Sequence, residues 1–97
     1  MSIKEAIQLR SDVAKMKFTA SQNYGFGKMV WPKIQKSRSD PDVGWMVEHI
    51  IEESQKLDDG VFCCMVGEVA KPIISGSGLT GKELGVAVIQ ALYDRLK

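Results

Sequence analysis

The chain has 97 residues, of which 44% are apolar and 26% charged, and this composition is typical of one globular domain with a modest core. No apolar run reaches the length of a membrane span, and Glu5 follows so closely on Met1 that no secretory signal is expected. A formal net charge of +1 excludes a strongly basic or acidic chain, and we expect a cytoplasmic protein that does not enter a membrane.

The charge is unevenly distributed along the chain. Residues 40–59 carry seven acidic side chains against Lys56, whereas residues 1–38 carry Glu5 and Asp12 against eight basic ones: Lys4, Arg10, Lys15, Lys17, Lys28, Lys33, Lys36 and Arg38. The two stretches either attract each other within the fold or form separate patches that steer different partners.

The first predicted element is a helix that begins with the capping box Ser2-Ile3-Lys4-Glu5 and continues to about Phe18. One face of this helix is apolar, through Ile3, Ala6, Ile7, Val13, Ala14 and Phe18. Residues 21–27 are predicted to form a loop. A short helix or turn around Lys28–Gln35 follows, and Pro32 is expected to interrupt it.

A second long helix is predicted to begin at Asp40, with Pro41 in its first turn, and to run to about Leu57. Its apolar side chains recur at helical spacing, through Val43, Met46, Val47, Ile50 and Leu57. Asp58-Asp59-Gly60 is then expected to end the helix.

The continuous apolar run Val61–Val66 predicts a strand buried on both faces. Gly67-Glu68 suits a two-residue turn, and Val69–Ser75 would be the returning strand, with Pro72 placing it at an edge. A last helix, capped by Thr80 and Glu83, is expected to reach about Leu96. The predicted fold class is therefore α+β in a single small domain: N-terminal helices, one two-stranded antiparallel β-hairpin and a C-terminal helix packed on it, with no internal repeat.

The glycine-rich stretch from Gly76 to Lys82 is the sharpest motif in the chain. It matches both G-x-G-x-x-G, through Gly76, Gly78 and Gly81, and the first part of G-x-x-x-x-G-K. Backbone N–H groups at a helix start can hold an anion, but glycines also serve simply to shape a turn. The chain ends too soon for the next strand of a dinucleotide-binding unit, and Glu83 replaces the hydroxyl residue of a phosphate loop. A turn with a helix cap is the favoured interpretation.

A third pattern covers residues 62–92. The predicted strand, turn and strand, followed by Gly76, Gly78, Thr80 and Lys82, resemble the C-terminal half of a double-stranded RNA-binding domain. Leu84, Val88 and Ile89 occupy the core positions of that family. The resemblance implies an α+β fold and RNA binding at the helix start. Gly81 and Gly85 stand where the family has phosphate-contacting lysines, so only Lys82 of that set is present.

Aromatic and basic residues alternate in the first third of the chain. Tyr24-Gly25-Phe26 resembles the core of the RNP1 motif of RNA-recognition domains, and basic residues follow it. Such a mixture can stack bases and neutralise phosphates. The candidate anion or nucleic-acid site comprises Lys28, Lys33, Lys36, Arg38, Gly76, Gly78 and Lys82. The alternative is that the aromatic residues anchor a loop to the core.

Exposed aromatic residues are candidate anchors for a protein partner, because Trp and Tyr are enriched at binding hot spots. Trp45 falls opposite the apolar stripe of its predicted helix, beside Glu48, His49 and Glu52. The alternative is that the N-terminal helix or the loop around Tyr24 covers this side chain. The candidate partner-binding residues are Tyr24, Phe26, Trp31 and Trp45. The last helix is apolar nearly all round, so we also predict a homodimer through Val86, Ile89 and Tyr93.

No catalytic set emerges from the sequence. His49 lies beside carboxylates on a helix face, and Cys63 and Cys64 lie in an apolar run that disfavours thiolates. No metal site or cofactor is predicted. The sequence thus favours a non-enzymatic binding module, a regulator or inhibitor that occupies a surface of a larger protein. RNA binding is the alternative, and phosphate binding by an enzyme fragment is a third hypothesis.

Overall fold

The computed structural model describes residues 1–16 and 19–97, so the predicted helical positions Lys17 and Phe18 lie outside the described residues. The described residues form five α-helices and one 3-10 helix, without a strand. The α-helices are α1 (Ile3–Lys15), α2 (Ala20–Gln35), α3 (Gly44–Ser54), α4 (Asp59–Gly76) and α5 (Gly81–Leu96), and the 3-10 helix is Lys36–Ser39.

The predicted β-hairpin is wrong, and with it the α+β fold class. Residues 61–75 belong to α4, whose N-cap Asp58 accepts hydrogen bonds from the backbone N–H groups of Gly60 and Val61. A short apolar run fits a buried helix as well as a buried strand, so periodicity alone could not decide between them. The side chains of α4 that are buried recur at helical spacing: Phe62, Cys63, Val66, Gly67, Ala70 and Ile74.

The predicted loop at residues 21–27 is also wrong, because α2 begins at Ala20 and continues through Pro32. Thr19 caps this helix by accepting a hydrogen bond from the backbone N–H of Gln22. A proline inside a helix leaves the carbonyl four residues earlier without its usual donor. Lys28 precedes Pro32 by four residues, Glu68 precedes Pro72 in α4 by the same number, and both residues are exposed.

The remaining helices match their predictions more closely. Ser2 caps α1 as expected, and Ala6 and Val13 of the predicted apolar face are buried together with Leu9. Ile3, Ile7 and Ala14 of that predicted face are exposed. Helix α3 begins four residues after Asp40 and ends at Ser54, so both predicted ends are too generous. Helix α5 reaches Leu96 as predicted, but the Thr80 side chain makes no capping hydrogen bond.

A repeated pattern relates α2 to α4, so the expectation of no internal repeat is wrong. Gly27 and Pro32 recur forty positions later as Gly67 and Pro72. Every residue of α2 that is buried has a buried counterpart at the same offset, in the pairs Asn23 and Cys63, Phe26 and Val66, Gly27 and Gly67, Val30 and Ala70, Ile34 and Ile74. Each of these helices is followed by a further α-helix, α2 by α3 and α4 by α5, and α1 precedes them.

The repeated glycines bring α2 and α4 into direct backbone contact at the centre of the molecule. A Cβ atom on Gly27 would lie 1.8 Å from the carbonyl oxygen of Cys63, and one on Gly67 would lie 2.1 Å from that of Asn23. No side chain fits in these spaces. The contact is reciprocal: Gly27 of α2 approaches Cys63 of α4, and Gly67 of α4 approaches Asn23 of α2. Asn23 and Cys63 are also forty positions apart.

Helix α1 packs on α4 and α5 and is held there by Arg10. The guanidinium of Arg10 donates to the carbonyl oxygen of Ile74, at 3.4 Å, and to that of Leu79. These carbonyls lie in the last turn of α4 and in the connection to α5, where helix geometry leaves carbonyl oxygens without an intrahelical donor. Arg10 therefore joins α1 to the end of α4.

Candidate functional site

A largely apolar groove opens between the N-terminal halves of α2 and α4, with a volume of about 650 Å³. We call it the α2–α4 groove. Its residues are Ala20, Ser21, Tyr24, Asp58, Gly60, Val61, Cys64, Met65, Glu68 and Arg95. Three pairs of them are separated by forty positions, so the groove is lined by corresponding faces of the two repeated helices.

Val61 is a large apolar side chain of the groove that is exposed to solvent. It is 57% exposed in the first turn of α4, and Leu57, which is 36% exposed, lies just before that helix. Cys64 and Met65, one turn further on, are half-buried. The Cys64 thiol lies 3.5 Å from the backbone carbonyl oxygen of Ala20, so it connects the two walls. The groove therefore offers a partner an apolar floor that is accessible to solvent.

Tyr24 forms part of the α2 wall and links it to the start of α4. Its hydroxyl donates to a carboxylate oxygen of Asp59 at 3.5 Å, and the Lys28 ammonium lies 5.3 Å from the centre of its ring. Hydrogen bonding to Tyr24, together with the charge of Asp59, raises the pKa of Lys28. The tyrosine is half-buried, so this predicted partner-binding residue lies in an accessible position.

The two ends of the groove differ in charge. At one end, Glu68 faces Arg95, with 3.8 Å between carboxylate and guanidinium. At the other end stands Asp58, whose side chain makes no ion pair within the described residues and caps α4. Asp59 is its neighbour. The Asp58 end is therefore the more acidic of the two.

Two of the predicted partner-binding residues belong to the core instead. Phe26 is 2% exposed. Trp31 is half-buried and packs edge-on against Phe62, with 4.9 Å between ring centres. Both side chains stabilise the contact of α2 with α4. The alternative interpretation had these aromatic residues anchor a loop to the core, whereas they belong to a helix.

Trp45 is exposed, as predicted, and belongs to an aromatic cluster between α3 and α5. It is 58% exposed and packs edge-on against Tyr93, with 5.0 Å between ring centres. His49 contacts the same tyrosine at 5.2 Å. The indole N–H donates to the backbone carbonyl of Asp42. This cluster fastens α3 to α5, and it lies outside the α2–α4 groove.

The basic residues predicted to bind nucleic acid are mostly engaged by carboxylates. Lys33 and Lys36 each lie 3.7 Å from Glu5, and Arg38 pairs with Glu48. Burial acts to raise the pKa of Glu5, but the charge of Lys36, the hydrogen bonds from Ser2 and the charge of Lys33 together lower it. The positive charge of this segment is thus partly neutralised within the fold.

The glycine-rich stretch forms the end of α4 and the connection to α5. Gly76 is the last residue of α4, whereas Gly78 and Gly81 have φ angles of +73° and +59°, which side chains rarely adopt. Lys82 lies 3.5 Å from carboxylate oxygens of both Asp40 and Asp42. The charge of Asp40 raises the pKa of Lys82, and the backbone N–H of Asp42 is the main cause of a lowered pKa at Asp40. The lysine predicted to attract an anion is therefore already paired.

The residues predicted to form a homodimer interface do not share one free face. Ile89 is 1% exposed, and Tyr93 is half-buried beside Trp45 and His49. Val86 is half-buried and lines a separate surface depression of about 570 Å³, together with Ala87 and Gln90. Of the three predicted positions, Val86 alone lies at such a depression.

The ionisable groups considered for catalysis are dispersed. His49 packs among aromatic rings, and burial is the main cause of a raised pKa at Cys63. Across residues 1–16 and 19–97, no three His, Cys, Asp or Glu side chains are grouped as a metal site requires. In the same residues, no helix combines the length and the apolar character needed to cross a membrane.

The sequence predicted one groove residue, Tyr24, and missed the others. Val61, Cys64 and Met65 were placed in a strand, where successive side chains point to opposite faces. On a helix, positions 61, 64 and 65 share one face. The signal that could have found them is the spacing of Gly27 and Pro32, repeated at Gly67 and Pro72, because it marks both segments as similar helices.

Comparison with known proteins finds no matching family model, no similar curated protein and no similar solved structure. Function must therefore be argued from the residues themselves.

Proposed function

We propose that this chain is a non-enzymatic protein-binding module, which regulates or inhibits a larger protein by holding an apolar segment of it in the α2–α4 groove. The observation that carries the proposal is the groove itself. It combines an apolar floor, a volume of about 650 Å³ and an exposed Val61 at its edge. Partner segments commonly bury apolar side chains in grooves between helices.

The charge arrangement favours a protein partner over RNA. Nucleic-acid binding depends on basic side chains that can release counterions from phosphates. Here Lys33, Lys36 and Arg38 face carboxylates, and so does Lys82 at the glycine-rich connection. The resemblance to a double-stranded RNA-binding domain stays a prediction, although its two strands are replaced by α4.

The test is capture of a partner from a lysate of the source cells, after nuclease treatment. The groove variant carries Val61→Gln and Met65→Gln, which replace two apolar side chains of the groove by polar ones. The control variant carries Ile3→Gln and Ile7→Gln, which remove two similarly exposed apolar side chains from α1. We expect the wild type and the control to retain the same protein and the groove variant to lose it.

Three results would contradict the proposal: no protein is retained, the groove variant retains it as well as the wild type does, or nuclease removes it. Circular dichroism of each variant must show the helical content of the wild type, so that a loss of binding is not a loss of folding. In the nuclease-sensitive case, RNA binding would become the better explanation.

A further inference from the structure

Building on the proposed function, we infer that the segment held in the α2–α4 groove carries a Lys or Arg side chain that lies over Asp58 and Asp59. The two ends of the groove differ in charge, and this difference orients the bound segment within the groove.

At the Glu68 end the opposite charges are already matched. Glu68 and Arg95 are each about half exposed and lie 3.8 Å apart. A charged group of either sign brought here would meet one attractive and one repulsive neighbour. This end therefore gives a partner little electrostatic preference.

At the Asp58 end the carboxylates outnumber the cations. Asp58 makes its hydrogen bonds to backbone N–H groups of α4, and Asp59 accepts one from the Tyr24 hydroxyl. Lys28 is the nearby cation on α2, and it lies over the Tyr24 ring.

The apolar and acidic features adjoin each other. Leu57 and Val61, both exposed, flank Asp58 and Asp59 along the chain. A segment that buries apolar side chains against Val61 therefore brings its neighbouring residues next to two carboxylates. A cation in that position gains attraction, whereas an acidic side chain would be repelled, and such complementarity determines partner choice and orientation.

The test uses peptides selected from a random phage-displayed library on the wild-type chain. We expect the enriched peptides to combine apolar residues with Lys or Arg and to lose binding to the variant with Val61→Gln and Met65→Gln. The charge variant carries Asp58→Asn and Asp59→Asn. Asparagine is as good an N-cap as aspartate, so α4 keeps its cap while two charges are removed.

The charge variant should bind the selected peptide more weakly, on the order of tenfold at about 0.1 M salt, and the difference should shrink at about 1 M salt. A control variant with Glu83→Gln and Asp94→Asn loses two exposed carboxylates outside the groove and should bind as the wild type does.

The outcomes separate the inference from the proposed function. If the selected peptides lack cations, or if the charge variant binds them unchanged, the inference is wrong while groove binding stands. If peptide binding ignores Val61→Gln and Met65→Gln, or if the library yields no binder, both are contradicted.

Discussion

Gly67 lies so close to Asn23 that a Cβ atom on the glycine would be 2.1 Å from the carbonyl oxygen of the asparagine. The obstacle is backbone, which cannot rotate away as the end of a flexible side chain can. The same holds where Gly27 meets Cys63. These two contacts determine how closely α2 and α4 approach.

We predict that Gly67→Ala and Gly27→Ala each destabilise the protein, because either methyl group forces the two helices apart. Overpacking of this kind costs roughly 1–3 kcal/mol. The matched control is Gly25→Ala, also within α2, since nothing lies within 4 Å of its added Cβ. There alanine should stabilise the helix, by about 0.5–1 kcal/mol. Urea unfolding of the three variants measures these differences, and equal effects at all three positions would contradict the proposed contact.

The two tryptophans should respond differently to truncation. Trp31→Ala removes the half-buried indole ring that packs against Phe62. It should lower the free energy of unfolding by about 3 kcal/mol, as expected for an aromatic side chain packed on the core. Trp45→Ala removes a ring that is 58% exposed and should cost clearly less. Urea unfolding compares the free energies. Fluorescence of the single-tryptophan variants Trp31→Phe and Trp45→Phe adds a second readout, in which the protein that retains Trp45 should emit at the longer wavelength.

Stability should fall in acid partly through Glu5. Its pKa is lowered in the folded state, so the ionised carboxylate stabilises the protein above the ordinary value of about 4.3, and this contribution is lost as the pH falls through the lowered value. Glu5→Gln should therefore lower the melting temperature at neutral pH, and the difference from the wild type should close in acid. Glutamine can still complete the capping box with Ser2.

A suitable comparison for this experiment is Glu52→Gln, because Glu52 is exposed and makes no ion pair within the part of the chain described by the structure. The melting temperatures are measured across the acidic range for both variants. A Glu5→Gln protein whose deficit persists unchanged at low pH would show that the carboxylate charge does not stabilise the fold.

The sequence predicts the start of α1 and the extent of α5 because both signals are local. Ser2 and Glu5 lie within one helical turn, and the apolar run of α5 is long. The sequence-based prediction fails at α4, because the run Val61–Val66 is consistent with either a strand or a helix and Gly67-Glu68 also suits a turn. Position 67 requires glycine because the backbone of Asn23 leaves no room for a side chain there. Asn23 is distant in the sequence, and its proximity to Gly67 can be inferred only after α2 is recognised as a helix.

The candidate site was harder to predict for the same reason. Tyr24 and Val61 line one groove because two helices meet there, and no local pattern joins them. The basic segment misleads in the opposite direction. In the sequence, Lys33 and Lys36 look available to bind phosphates. In the fold, the carboxylate of Glu5, in the first turn of α1, lies 3.7 Å from each of their ammonium groups.

The contact between α2 and α4 also bears on the order in which the chain can acquire its structure during synthesis. A nascent chain that ends before Asp59 contains Gly27 but lacks the helix that packs against it. Its apolar residues Val30 and Ile34 then have no counterpart from α4, and a short isolated helix in water is marginally stable. The core can therefore close only after α4 has left the ribosome.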